Sequence, residues 1–189
     1  MARSNRSEEI TLFDAFVSAL KRLSERDKYL FSLKRRKIPL MHRLAIYLEE
    51  ELPSHLYCDL MLHIKLEEGE STPDLLVHDR NETIYLAIYA KESYLNKKDQ
   101  EEARTFHRDK ECLTLAFSFL EDKDYFLIYR FGSTFTDYLH LSREDFSESL
   151  LKRCETDSDE TFSDTQLLLG IKERRKRKLS KKASLPRDL

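Results

Sequence analysis

Apolar positions recur every three to four residues in the first part of the chain. Leu12, Phe13, Phe16, Val17, Leu20 and Leu23 predict a packing helix from Thr11 to about Leu23, with Thr11 and Asp14 spaced like a capping box. Leu40, Met41, Leu44, Ala45, Leu48 and Leu52 predict a second helix over Ile38 to Leu52. Pro39 suits its first turn and Pro53 ends it. The period then changes to two. Cys58, Leu60, Leu62, Ile64 and Leu66 alternate with Asp59, Met61, His63 and Lys65, predicting a strand from Tyr57 to Leu66. Pro73 to His78 and Thr83 to Lys91 flank the turn Asp79-Arg80-Asn81-Glu82, the pattern of a hairpin. Its second run is almost wholly apolar, which places it inside a sheet with both faces covered.

A polar helix is expected from Asn96 to about Lys110, with Asn96 as its cap, Asp99 in its first turn, and Ala103 and Phe106 as its apolar contacts. Leu113 to Phe119 and Tyr125 to Phe131 read as a second hairpin around Glu121-Asp122-Lys123-Asp124. Ser142, with Asp145 behind it, reads as the N-cap of a last short helix from Leu141 to about Arg153. Glu155 to Asp164 is acidic. From Thr165 a helical start gives way to Lys172–Lys182 and an end whose composition suggests disorder. The expected organisation is one globular domain over residues 1–153, an acidic linker over 154–164 and a basic tail over 165–189.

Composition narrows the classes. The chain has 189 residues, 40% hydrophobic and 36% charged, enough for one cored domain with a charged surface. The 3 cysteines, at 58, 112 and 154, form no CxxC, so neither a disulfide framework nor a cysteine zinc site is indicated. No apolar run reaches membrane-span length and no signal region follows Met1, so the expected compartment is the cytoplasm, with no membrane partner. The net charge of −2 conceals an asymmetry: residues 171–189 hold nine Lys/Arg against two acids, while 155–164 hold five acids and no base. Lys172, Arg174, Arg175, Lys176, Arg177 and Lys178 are therefore candidate contacts to DNA or RNA phosphates, and Lys34-Arg35-Arg36-Lys37 reads as a solvated basic turn, with phosphate contact as its alternative. The six histidines show no HxH or HExxH spacing, and no P-loop, GxGxxG or GxSxG is present.

Pro73-Asp74, followed one strand later by Lys91, resembles the PD-(D/E)xK nuclease superfamily. The His42-Arg43-Leu44-Ala45 stretch resembles the opening helix of small bacterial members, and the run Lys98-Asp99 to Phe106 resembles the helix after the Lys strand. The likeness covers about Arg36 to Phe131. It implies an α/β fold with a restriction-endonuclease-like core, a central mixed sheet of about four to five strands flanked by helices. It also implies a Mg2+ site built by Asp74 and a second acid two residues before Lys91. That position is Tyr89, which shares a strand face with Lys91. A phenol, titrating near about 10, is neutral at pH 7 and a poor substitute for a carboxylate. A further acid that the family carries upstream of the histidine is Lys37 here. The resemblance therefore implies a degenerate site, Asp74 and Lys91 being its remnants, in a protein that binds nucleic acid or protein without a cofactor. The alternatives are an active Mg2+-dependent nuclease in which Asp59 or Glu51 replaces the lost acid, and a scaffold that binds no nucleic acid. No oligomeric state is implied.

Overall fold

The computed structural model describes residues 2–61, 72–81, 83–120 and 123–155. All lie in the first of the two units into which the chain divides, Met1–Thr156.

The two apolar stripes are helices. The first, α1, spans Ala2–Arg26, so it starts well before Thr11. Thr11 lies inside it, its hydroxyl donating to the Ser7 carbonyl oxygen at 3.0 Å, and caps nothing. Leu12, Phe13, Phe16, Leu20 and Leu23 form its buried face. The second, α2, spans Lys37–Glu51 and buries Leu40, Met41, Leu44, Ala45, Tyr47 and Leu48. Between them runs a connector containing a 3-10 helix, Lys28–Ser32, whose Leu30 and Phe31 are buried. A polar latch ties the end of α1 to α2. Buried Asp27 accepts from the Tyr47 hydroxyl at 2.6 Å and from Arg43 Nε at 2.8 Å. Burial pushes the Asp27 carboxyl up, but these two donors outweigh it and hold it below the usual range.

The sheet has seven strands in chain order: β1 Tyr57–Leu60, β2 Leu75–His78, β3 Ile84–Lys91, β4 Leu113–Phe119, β5 Tyr125–Phe131, β6 Phe135–Ser142 and β7 Glu148–Glu155. Neighbours are antiparallel except β3 and β4, which pair in parallel from Leu86↔Leu113 to Lys91↔Ser118. A parallel pair needs a crossover, and α3, Lys97–Lys110, supplies it. Of the strand expected to run to Leu66, β1 is described only to Leu60, and residues 62–71 lie outside the described set.

The sheet is larger than the expected four to five strands, and the segment expected to be a helix over Leu141 to Arg153 is instead the end of β6, a turn and β7. Ser142 does what a cap does: its Oγ accepts from the Glu144 and Asp145 N–H groups at 3.3 and 3.4 Å. The same side-chain bond also starts a turn. Phe146, at φ 52°, is left-handed and stops any helix there. Beyond it β7 pairs with β6 through Glu155.

Strand side chains divide between two faces. Leu75, Val77, Leu86, Ile88, Ala90, Leu115, Phe117, Phe126, Ile128, Leu139 and Leu141 belong to the main core with α1 and α2. On the other face Leu76 and Ala87 pack with Phe106 and Cys112, with Tyr89 against them. Nearby, the Tyr138 hydroxyl donates to Gln100 Oε1 of α3 at 2.8 Å, and burial pushes its phenol up to about 12. Arg130, Asp137 and Arg153 lie opposite one another across β5, β6 and β7. Asp137 is fully buried and accepts from Arg130 at 2.6 Å and from Arg153 at 2.6 and 2.9 Å.

Candidate functional site

Asp74 stands just before β2, held between the neighbouring strands by its backbone. Its N–H donates to the Ile88 carbonyl at 2.8 Å and its carbonyl accepts from Met61 N–H at 3.0 Å. This fixes the carboxylate at the end of β3, where Oδ2 accepts from Ala90 N–H at 2.7 Å. The other oxygen, Oδ1, pairs with Lys37 Nζ in the first turn of α2 at 2.7 Å.

Lys91 is the last residue of β3. The period of two puts it on the face of Tyr89, under α3. Its Nζ donates to Asp99 Oδ1 at 2.7 Å. Asp99 is oriented by the expected cap: its N–H donates to Asn96 Oδ1 at 2.9 Å, and its Oδ2 accepts from Asn96 N–H at 3.2 Å. One carboxylate thus serves as both capping group and counter-ion. Tyr89 packs edge-on against Phe106, with ring centroids 6.3 Å apart and an interplanar angle of 81°. Glu92, one residue past Lys91, turns the other way and lies 3.6 Å from Arg36 Nε. Arg36 is no solvated turn residue. It is buried, and its Nη1 donates to the Phe31 carbonyl at 3.1 Å. Lys34 and Arg35 beside it are exposed, as expected.

Three cations and three carboxylates therefore meet around the end of β3, sorted into the pairs Lys37–Asp74, Lys91–Asp99 and Arg36–Glu92. Asp74 pairs toward α2 and Lys91 toward α3, so the two do not pair with each other. The candidate replacement acids have other partners. Asp59 Oδ2 lies 2.9 Å from His78 Nε2, and Glu51 pairs with Arg22 at 3.1 Å, beside a second contact from Arg22 to Glu50. Among the described residues no three His, Cys, Asp or Glu side chains are grouped to hold a metal ion. Mg2+ takes carboxylate and water oxygens. Here each Asp74 oxygen already accepts from a donor, and the neighbouring place on β3 holds a phenol on an apolar cluster, so the donor set suits an ammonium better than that ion.

Lys37 and Asp99 are the site residues that sequence reading placed without their roles. The sequence marks Lys37 as a base in an acid's place and as the end of a solvated turn, whereas it opens α2 and is paired with Asp74, and it marks Asp99 only as a first-turn acid. The candidate phosphate contacts Lys172, Arg174, Arg175, Lys176, Arg177 and Lys178, and nearly all of the acidic linker, lie outside the described residues. Comparison with protein-family models, with curated proteins and with solved structures finds no match to the chain.

Proposed function

We propose that the chain is a PD-(D/E)xK nuclease-like protein that no longer cleaves phosphodiesters and serves as a binding module, with DNA or RNA as its first partner class and protein as the alternative. The observation that carries this reading is the Lys37–Asp74 pair. A nuclease of this kind would bring a divalent cation to Asp74. Here an ammonium from α2 neutralises that carboxylate, at a position where the resemblance expects another acid. Tyr89 supports the same reading, because it fills the second acid's place with a ring packed on Phe106. Lys91 supports it too, because its ammonium donates to Asp99 of α3 and not to Asp74. On this reading no cofactor is required, and Mg2+ would enter only in the alternative, active form.

The test is a Mg2+ titration of the full chain with plasmid and single-stranded DNA. No cleavage is expected at any metal concentration. Metal-dependent cleavage that disappears in Lys91→Ala would overturn the reading. Binding is tested separately, with the basic tail as the proposed electrostatic arm. Deleting residues 171–189 is expected to weaken DNA affinity about tenfold, and the lost part should be the steeply salt-dependent part. An unchanged affinity would remove the tail from the interface.

A further inference from the structure

Among the described residues, three of the large apolar side chains left substantially exposed fall within ten residues of one another: Tyr29 (64%) and Leu33 (41%) in the α1–α2 connector and Ile38 (53%) at the start of α2. They stand in a basic field. Residues 28–48 contain six Lys/Arg and no Asp or Glu. Arg36 and Lys37 are engaged by Glu92 and Asp74, and Arg43 by Asp27. Lys28, Lys34 and Arg35 are exposed and pair with no carboxylate among the described residues. The connector is held from beneath: Leu30 and Phe31 are buried, Phe31 packs on Phe126 at 5.7 Å, and the Arg143 guanidinium covers the Phe31 ring at 3.9 Å. The exposed groups are therefore displayed on a fixed frame. The adjoining cavity, about 760 Å3, shares Lys28 with the connector, and its other charged lining residues are Lys123, Arg143, Glu25, Asp124 and Glu144, two bases against three acids.

We infer that this connector is a contact surface for a bilayer carrying anionic headgroups. A nucleic-acid strand would satisfy the three cations and stack on Tyr29, but it would leave Leu33 and Ile38 in water. The boundary between headgroups and acyl chains takes all six side chains: aliphatic tips and the tyrosine ring inward, ammonium and guanidinium groups at the phosphates. Contact of this kind lies on the membrane and does not span it, so the lack of a span-length apolar run in the sequence does not bear on it. The inference stands apart from the proposed loss of catalysis.

The test is co-sedimentation of the full chain with phosphatidylcholine vesicles and with vesicles containing about 30% phosphatidylserine. Binding is expected only to the second. Leu33→Ser/Ile38→Ser and Lys28→Ser/Lys34→Ser/Arg35→Ser should each weaken it about tenfold or more, the second removing most of its salt sensitivity. The chain has no tryptophan, so Tyr29→Trp provides a single reporter whose emission should shift to the blue on these vesicles. This readout remains decisive even if a multiple variant loses stability. Failure to bind anionic vesicles, or an unshifted Tyr29→Trp emission, would overturn the inference. So would vesicle binding that survives both connector variants and vanishes on deleting residues 165–189, which would assign the contact to the tail. Connector variants that lose oligonucleotide binding while keeping vesicle binding would make the partner a nucleic acid.

Discussion

Replacing Lys37 with methionine removes the ammonium paired with Asp74 and keeps most of the apolar stem. The Asp74 side chain is 14% exposed and that of Lys37 37%, so the pair lies between two regimes. Exposed pairs contribute about 0.2–1 kcal/mol, whereas breaking a buried one costs about 3–5 kcal/mol. Asp74 keeps its bond from Ala90 N–H at 2.7 Å, and water reaches the lysine side. Lys37→Met should therefore cost about 1–2 kcal/mol, or about 2–8 °C in melting temperature for a unit of this size. Asp74→Asn keeps an acceptor for Ala90 and should cost a similar amount. If the two charges act as a pair, the double variant costs less than the sum of the singles, with a coupling of about 1 kcal/mol that shrinks in high salt. Urea unfolding of the four proteins at two salt concentrations measures it. A coupling within about 0.3 kcal/mol of zero would mean that Lys37 does not hold Asp74, and the proposed replacement of metal by ammonium would lose its basis.

Lys37→Glu/Tyr89→Glu places two acids near Asp74, and Mg2+ should raise the melting temperature of that variant and not of the natural chain. An equal response in both would show that the substituted positions do not govern metal binding. Asp137→Asn should destabilise by about 3 kcal/mol, since it leaves Arg130 and Arg153 without their buried carboxylate. Burial pushes that carboxyl up, but Arg153 and Arg130 outweigh it and hold it down, so its contribution is full above the ordinary carboxylate range and is lost as pH falls through the lowered value. Asp137→Asn should therefore flatten the acid limb of the stability–pH curve, and an unchanged limb would refute this. Tyr138 has the opposite sign. With its phenol pushed up to about 12 by burial, it favours the fold below the unfolded-state value of about 10 and ceases to do so as pH rises through the folded value. Tyr138→Phe should remove that alkaline loss at the expense of the bond to Gln100, as followed by circular dichroism across that range.

The parts of the fold that were legible were those where one pattern decided the matter. The α2 stripe, the β2–β3 hairpin, the β4–β5 hairpin and the Asn96–Asp99 capping box all stand where the residues indicate. The N-terminal extension of α1 was not legible, because the residues before Ile10 carry no apolar stripe. Nor was β6, whose buried positions include Thr136 and Asp137. A fully buried aspartate gives no strand signal until two arginines on adjacent strands are known to face it. Ser142 pointed to a helix because its side-chain bond is common to helix starts and turns. At the site, Asp74 and Lys91 were visible and their partners were not. Lys37 and Asp74 are far apart in sequence, and the Lys91–Asp99 contact spans a strand end, a loop and a helix start, a spacing with no periodic signature.

Because the spatial order of the strands is their order along the chain, four of the six pairings close a short loop. The entropy of loop closure is small for such links. The β1–β2 link, residues 61–74, is longer, and the parallel β3–β4 pair waits on the longest, since the stretch 92–112 must first cross the sheet as α3. Assembly of the described unit therefore divides at that point. The hairpin of β2 and β3, with β1 beside it, can form on one side, and the meander of β4 to β7 on the other, each from contacts between near neighbours. Docking of the two is the step with the largest sequence separation, and such steps set folding rates. The Lys91–Asp99 pair sits at that junction and joins the end of the first half to the start of the crossover. This contact at the end of β3 would then time the union of the two halves of the sheet.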